Sequence, residues 1–593
     1  MSTEKNLKQN RIIQWRIEYL ILPVLLFYAF TLLWPTIRMI LLSMPDGDPF
    51  KFYRHILASN LYQEALVRTF LYSVIATIGT FVFGYPLAYY MVLSKNWIRL
   101  TITILVVVPM FVALLVRTFG WMMIFSRTGP ISRFLFEVGL TEELIKLMYT
   151  TLAVQVGMVA VLLPFMVLPL YATMRRIDGQ LLQAARVLGA PPTAVFGQIF
   201  FPLSLPGVFS GVIIVFILSL GFYITPDLLG GSSNQVYAVL LAKAVKLNST
   251  RPALPAAMSV ILLFITLIVL AVGARLVSLN SLWSADARQE DWQSQLVNRG
   301  PKAWWARFRD GLLTNILLSI GALPRFIQSM PGIFLASVAV FISFVPILVA
   351  VVFSFARSIF LPFPPTEFTF KWYLEFASSA RWFDAITTSL VLGVVVAVLV
   401  TIISALTALA MVRGRFPGKN MVMSFILSPL IIPHVVLAVG LWHLFFVLRL
   451  SGTFWGVAIA HMIPAIPLTT IVIAANLQTF DKTLEQVARG LGASPVRSFV
   501  SITVPILRPG FLVGAFFGFL VSLDELVFTL FLAGYRLRTL PLRLWEDLHV
   551  RLDPVLAVVS VVEVLLVLLV LGSVVLVLRS RQRRTGASTA LIG

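Results

Sequence analysis

The chain of 593 residues is 59% hydrophobic and only 12% charged, with a mean hydropathy of +0.94, whereas soluble domains carry charge on about a quarter of their residues. That composition excludes a soluble globular protein. The absence of Cys excludes disulfides and thiol chemistry, and the formal net charge of +21 leaves nucleic acid to be weighed against the membrane.

Runs of about 20 mainly apolar residues, the length a helix needs to cross the hydrocarbon layer, recur about twelve times. They fall near 18–44, 68–94, 100–126, 149–174, 208–229, 254–278, 330–356, 384–412, 421–448, 453–477, 511–534 and 554–578. Because the runs are continuously apolar rather than alternating, they read as helices and not barrel strands. The first is long and carries Pro23, Pro35 and Arg38, so it reads as a span retained in the mature protein. Placing both termini in the cytoplasm puts most Lys and Arg inside, including Lys5, Lys8, Arg11, Arg16, Arg413, Arg415, Lys419 and the tail RSRQRR at 579–584. The charge is then topology, and no nucleic acid is implied.

In chain order, residues 1–278 form a first half of about six spans. Within it Arg117, in LLVRTFGW, reads as a solute contact or as a side chain reaching the headgroups. Asp227, after Pro226, reads as a residue at a span end, a cap or a solute-pathway ligand. The connector 279–329 contains a polar piece and then AWWARFRDGLLTNILLSIGALPRF, whose Leu312, Leu313, Ile316, Leu317 and Ile320 follow helical spacing. The expectation is an amphipathic helix on the inner leaflet, or a partly ordered linker. Residues 330–593 repeat the six-span plan. The fold class is therefore all-α and polytopic, with two parallel six-helix repeats joined on the cytoplasmic side. Asp524 and Glu525 fall in the eleventh span and Glu563 in the twelfth, where an ionisable side chain costs a few kcal/mol on insertion scales. Asp524 and Glu525 read as a cation-attracting patch on the solute path or as partners of an Arg from a neighbouring span, and Glu563 as a solute-pathway residue facing the bundle interior.

Between the fourth and fifth spans of each half lies a polar insert. LLQAARVLGAPPTAVFGQIFFPLSLPG (181–207) and LEQVARGLGASPVRSFVSITVPILRPG (484–510) agree at 13 of 27 positions without a gap. Asp178 and Asp481 precede them as helix caps, so the repeated units span 178–207 and 481–510. Gly189 and Gly492 suit the left-handed turn past a helix end. Pro192 and Pro495 suit the start of a second short helix, and Pro202, Pro206 and Gly207, with Pro505, Pro509 and Gly510, should break it before the next span. Two short helices at an angle are expected across the cytoplasmic mouth.

This pattern resembles the EAA loop of permease subunits of ATP-binding-cassette importers. Gln183, Ala184, Ala185, Gly189 and Ala190 in one copy, and Gln486, Ala488, Gly492 and Ala493 in the other, stand at the motif positions, with Gln in place of the first Glu. The resemblance implies a type I importer fold and loops that dock on a cytoplasmic ATPase. LLVRTFGWMMIFSRTGPISRFL (114–135) and TPDLLGG (225–231) are similar to the first permease of spermidine/putrescine importers. LSPLIIPHVVLAVGL (427–441) and SLDELVFTLFLAG (522–534) are similar to the second, with His434 where an acidic residue is expected. The resemblance thus implies two permeases fused in one bacterial inner-membrane chain. It also implies two copies of a partner ATPase, which binds the ATP and Mg, and an extracytoplasmic solute-binding protein.

The chain lacks a nucleotide site of its own: GRFPGKN at 414–420 has three residues between its glycines and no Ser or Thr after Lys419. His55, His434, His443, His461 and His549 lack the i, i+4 spacing of a helical metal site. A permease rather than an enzyme is expected, carrying a polyamine-like solute. Ferric iron, a phosphonate or an opine-like compound would suit the same plan, and a twelve-span secondary transporter is the reading from another class.

Overall fold

A computed structural model describes residues 17–232, 234–247, 252–276, 330–358, 363–550 and 553–589. The amphipathic helix expected within 279–329 lies outside the described residues. The described residues form helices joined by turns and loops, with one isolated antiparallel bridge among them, Ala356 to Phe368. Ten helices are long and apolar enough to cross a membrane: Tyr19–Leu42, Asn60–Leu93, Thr151–Arg175, Pro192–Leu220, Ala253–Gly273, Ile333–Ser354, Ala380–Arg413, Phe454–Gln478, Phe499–Asp524 and Pro554–Val574. Two helix pairs pass the same test together but are sharply bent, Asn96–Phe111 with Leu114–Glu137 at 102°, and Lys419–Leu430 with His434–Val447 at 91°, each a broken span or a re-entrant loop. The chain is an all-α polytopic membrane protein, with 10 to 12 candidate spans among the described residues.

Each half is built on a triad of its second, fourth and fifth spans. In the first half Asn60–Leu93, Thr151–Arg175 and Phe201–Leu220 pack on one another; in the second Ala380–Arg413, Phe454–Gln478 and Val504–Asp524 do the same. Glycines let these helices approach closely, as small residues do between membrane helices. Gly207 faces Thr173, and its counterpart Gly510 faces Asn476. The outward faces carry exposed apolar side chains such as Phe70, Ile78, Val394 and Ile402, the expected surface towards lipid.

The first span of each half packs on the other half. Trp34–Leu42 lies against His434–Val447, and Met330–Ser354 against Leu114–Phe125. Tyr28, fully buried, donates from its hydroxyl to the Ile463 carbonyl at 3.1 Å. The crossing is tightest at Gly120, where a Cβ would stand 2.2 Å from the Pro346 carbonyl oxygen. At the matching Gly440 a Cβ would stand 3.5 Å from Pro35.

Proline and glycine pattern explains where spans break. The ninth span turns before Pro433, since the residue ahead of Pro is disfavoured in the helical region; the third is interrupted at Val112 and Ala113, past Pro109, which itself lies inside the helix. The fifth and eleventh spans, read from sequence as continuous over 208–229 and 511–534, end instead at Leu220 and Asp524 and resume as the short helices Ile224–Gly230 and Val527–Leu532.

Candidate functional site

Each insert begins as the sequence predicts. Asp178 Oδ1 accepts from the Gln180 backbone N–H at 2.8 Å and caps the helix Gly179–Val187. Asp481 Oδ1 accepts from the Thr483 N–H at 2.9 Å and also from its hydroxyl, opening the helix Thr483–Gly490. These two bonds from Thr483 hold the Asp481 carboxyl below the usual carboxylate range. Both helices end alike. Gly189 (φ +85°) donates to Arg186 and Ala190 to Ala185, each at 3.0 Å; Gly492 (φ +93°) donates to Arg489 and Ala493 to Ala488, also at 3.0 Å. This is the paired 6→1 and 5→2 closure that requires a left-handed residue past the helix end.

The second short helix does not separate from the next span. Pro192–Ala194 runs through a π-helical stretch, Val195–Phe200, directly into Phe201–Leu220, and Pro495–Ser498 runs through Phe499–Thr503 into Val504–Asp524. The wide turn lies just before Pro202 and Pro505, which then enter at a first helical turn where a missing N–H is tolerated. Each insert is therefore one free helix, a tight turn and the foot of the fifth span of its half.

Gln183, Ala184, Gly189, Gln486 and Gly492 are exposed, and Ala185, Ala190, Ala488 and Ala493 half-buried. The most prominent side chains are ones the motif reading passed over. Val187, Leu188 and Leu491 are 86%, 87% and 85% exposed at the tips, and a Leu directly before the Gly in both copies was the available signal. Also missed was Glu485, buried beside Gln486 and bonded to Arg413 at 2.8 Å.

The four span breaks meet at a second site. Asp524, at the break of the eleventh span, accepts the Leu114 N–H at 2.9 Å and so caps a helix of the other half. At the corresponding break of the fifth span is Gly221, where a Cβ would stand 2.5 Å from Pro433. Glu525, 7% exposed, accepts the Phe528 N–H at 3.2 Å and lies 3.4 Å from His434 Nδ1. His461, fully buried, lies 3.0 Å from the Ser522 hydroxyl and 2.8 Å from that of Thr529. Arg117 is buried within electrostatic range of Asp524, with Nε and one terminal nitrogen lacking a hydrogen-bond partner. Glu563, 1% exposed, points both oxygens at no partner and senses the charge of Asp524.

The structure thus brings Arg117, Asp524, Glu525 and Glu563 towards one region. Asp227 is elsewhere: its carboxylate lies 3.1 Å from His549 Nε2, joining the two halves, beside Lys246, whose ammonium sits 4.4 Å from the Trp545 ring centre. Burial pushes the His549 imidazole down, but the bonds to Asp227 and to the Trp545 carbonyl, with the charge of Asp227, together outweigh burial and leave it above its ordinary value. His434 and His461 were not singled out for these contacts, because nothing in their sequence spacing marks a partner. Among the described residues no group of three or more His, Cys, Asp or Glu is placed to hold a metal ion.

Residues 80–280 and 397–584 each match the family described as binding-protein-dependent transport system inner membrane component. The chain belongs to that family. It is similar to the spermidine/putrescine transport system permease protein PotB of Escherichia coli (strain K12), 34% identical over 192 residues, covering 32% of this chain and 68% of the relative. It is also similar to the permease protein PotC of the same system, from Haemophilus influenzae (32% identical, 35% of this chain and 80% of the relative) and from Escherichia coli (29%, 41% and 92%). Two family matches in one chain make this a fused PotB/PotC-like permease of an ATP-binding-cassette importer.

Proposed function

We propose that the chain forms the whole membrane pathway of an ATP-driven importer for a small cationic solute of polyamine type, with both termini in the cytoplasm of a bacterial inner membrane. The observation that carries the coupling part is the pair of capped helices ending in exposed Val187, Leu188 and Leu491. Apolar tips on an otherwise polar element suit an apolar groove on another protein, and two tips call for two ATPase copies. Gln183, Ala184, Ala185, Gly189 and Ala190, with Gln486, Ala488, Gly492 and Ala493, form the docking faces. ATP and Mg belong to that partner, and an extracytoplasmic binding protein delivers the solute.

Closure of the ATPase dimer draws the inserts together and rocks the halves about their crossed first spans. Shifting such an equilibrium from mostly one state to mostly the other takes about 5.5 kcal/mol of differential interaction. The four breaks form the gate. With the gate shut, Asp524 and Glu525 are occupied as helix caps; when the breaks part, the same carboxylates face the path and attract an amine, with Arg117 and Glu563 setting the local charge. Asp227 lies at the outer mouth. The polyamine class is supported by likeness to both PotB and PotC and by these carboxylates.

The test is uptake of labelled spermidine and putrescine into proteoliposomes holding this chain, its ATPase and its binding protein. Saturable uptake that needs ATP is expected. No polyamine uptake, with ATP-dependent uptake of ferric iron, a phosphonate or an opine instead, would keep the importer and discard the cargo; uptake driven by a proton gradient without ATP would discard the importer.

A further inference from the structure

The two inserts rest on different seats. The positions in the first half that correspond to Arg413, Glu485 and Thr503 of the second are Leu93, Leu182 and Phe200. The first seat is apolar. Phe200 lies 5.0 Å from the Tyr89 ring and stacks on Phe196 at 5.5 Å, while Leu182 packs on the core. In the second seat Arg413 Nη1 donates to Glu485 at 2.8 Å (Oε1) and 3.1 Å (Oε2). The Thr503 hydroxyl donates to the same carboxylate, and Arg489 stands 3.9 Å away. The guanidinium also lies 5.5 Å from the Phe480 ring centre. The Arg413 and Glu485 side chains are only 13% and 9% exposed.

We propose that Arg413, Glu485 and Thr503 are positioning residues that lock the second insert to the end of the Ala380–Arg413 span, so that pushing the insert moves the span. The lock joins three elements: that span through Arg413, the insert helix through Glu485, and the π-helical foot of the eleventh span through Thr503. Charge-assisted bonds fix direction and register, whereas apolar contact is non-directional and lets surfaces slide. A carboxylate buried at this depth cannot leave its partner without remaining uncompensated. The second half is the stiff arm of the coupling and the first the compliant one. This rests on the inserts being the ATPase docking elements.

The experiment uses the assembled transporter in proteoliposomes and reads solute moved per ATP hydrolysed. Arg413→Gln and Glu485→Gln should each lower that ratio about tenfold, equivalent to about 1.4 kcal/mol. The exchanged pair, Arg413→Glu with Glu485→Arg, should recover at least half of it. Because the chain has no Cys, spin labels at Lys482→Cys and Met421→Cys report insert position directly; their distance distribution should broaden in Arg413→Gln and narrow again in the exchanged pair. An unchanged ratio with an unchanged distribution, or an exchanged pair as poor as the single variants, would overturn the lock. Gly492→Pro separates the two readings: if it uncouples transport while Arg413→Gln does not, the lock alone fails; if neither has an effect, the docking reading fails with it.

Discussion

The two halves share a plan and differ where charge enters it. At the fifth-span break the first half places Gly221 and Phe222, small and apolar, and Gly221 closes against Pro433 by contact. The second half places Asp524 and Glu525 there, and they close by capping Leu114 and Phe528 and by meeting His434. Under the inserts the same substitution of charge for packing recurs, Leu182 against Glu485. A fused pair of permeases can thus keep one backbone while assigning fit to one half and electrostatics to the other. Fit is insensitive to salt and pH; buried charge is directional and responds to a cation.

The largest effect that would break this comparison falls on the feature the halves share. Gly189→Pro and Gly492→Pro remove a left-handed residue and its N–H donor, so each turn must reopen. If about 3 kcal/mol of the coupling drive is lost, the state ratio changes on the order of a hundredfold. Uptake by the double variant should fall accordingly while membrane insertion persists. Gly→Ala at either site meets no atom within 4 Å but is strained at a positive φ, at a cost of about 1–2 kcal/mol, and should lower uptake less than Pro does.

The next effect separates charge from fit. Asp524→Asn with Glu525→Gln removes both charges while the amide oxygens can still accept the Leu114 and Phe528 N–H, and should abolish saturable polyamine uptake. Unchanged transport affinity in the double variant would leave these carboxylates a purely structural role. Changing Phe222, their apolar counterpart, to Leu should alter affinity less than threefold, a difference below about 1 kcal/mol.

A smaller effect tests the crossed first spans. Gly120→Ala drives a methyl into the Pro346 carbonyl and should destabilise the protein by about 1–3 kcal/mol as overpacking does. Gly440→Ala makes an ordinary contact with Pro35 and should hold or gain up to about 1 kcal/mol from helix propensity. Thermal unfolding in detergent would distinguish them, and equal midpoints would contradict the asymmetry.

The smallest effect is a pH response. His549 faces Asp227, with Lys246 opposing its charge. Its raised value means that its contribution to the closed outer face is complete below about pH 6.5, the ordinary imidazole value, and is lost as pH rises through the shifted value. His549→Gln should flatten the pH dependence of outer-face accessibility, read by labelling of an engineered Cys. A slope that survives the substitution would assign the response to another group.

The sequence made the inserts legible because their determinants are local: a capping Asp, a Gly past the helix end and an apolar run after it. Both turns close as those residues dictate. The family matches stand at 80–280 and 397–584. Less legible were the breaks. Averaged apolarity hides a few residues of non-helical backbone, so the fifth and eleventh spans read as continuous although Gly221 and Glu525 end them. Pro202 and Pro505 were read as breakers; the wide turns before them absorb the rings. The His434–Glu525 and Arg413–Glu485 pairs join residues 91 and 72 positions apart, beyond any periodic signal, and the cap from Asp524 to Leu114 crosses between halves.

The most direct measurement places a single Cys at Leu188→Cys or Leu491→Cys, both on exposed tips of a chain otherwise free of Cys, and crosslinks it in membranes containing the co-expressed ATPase. Both positions should crosslink to that subunit, each to a separate copy, with a yield that changes when ATP closes the dimer. If neither tip reaches a nucleotide-hydrolysing subunit under any nucleotide condition, the inserts are not where the motor acts and the account is wrong.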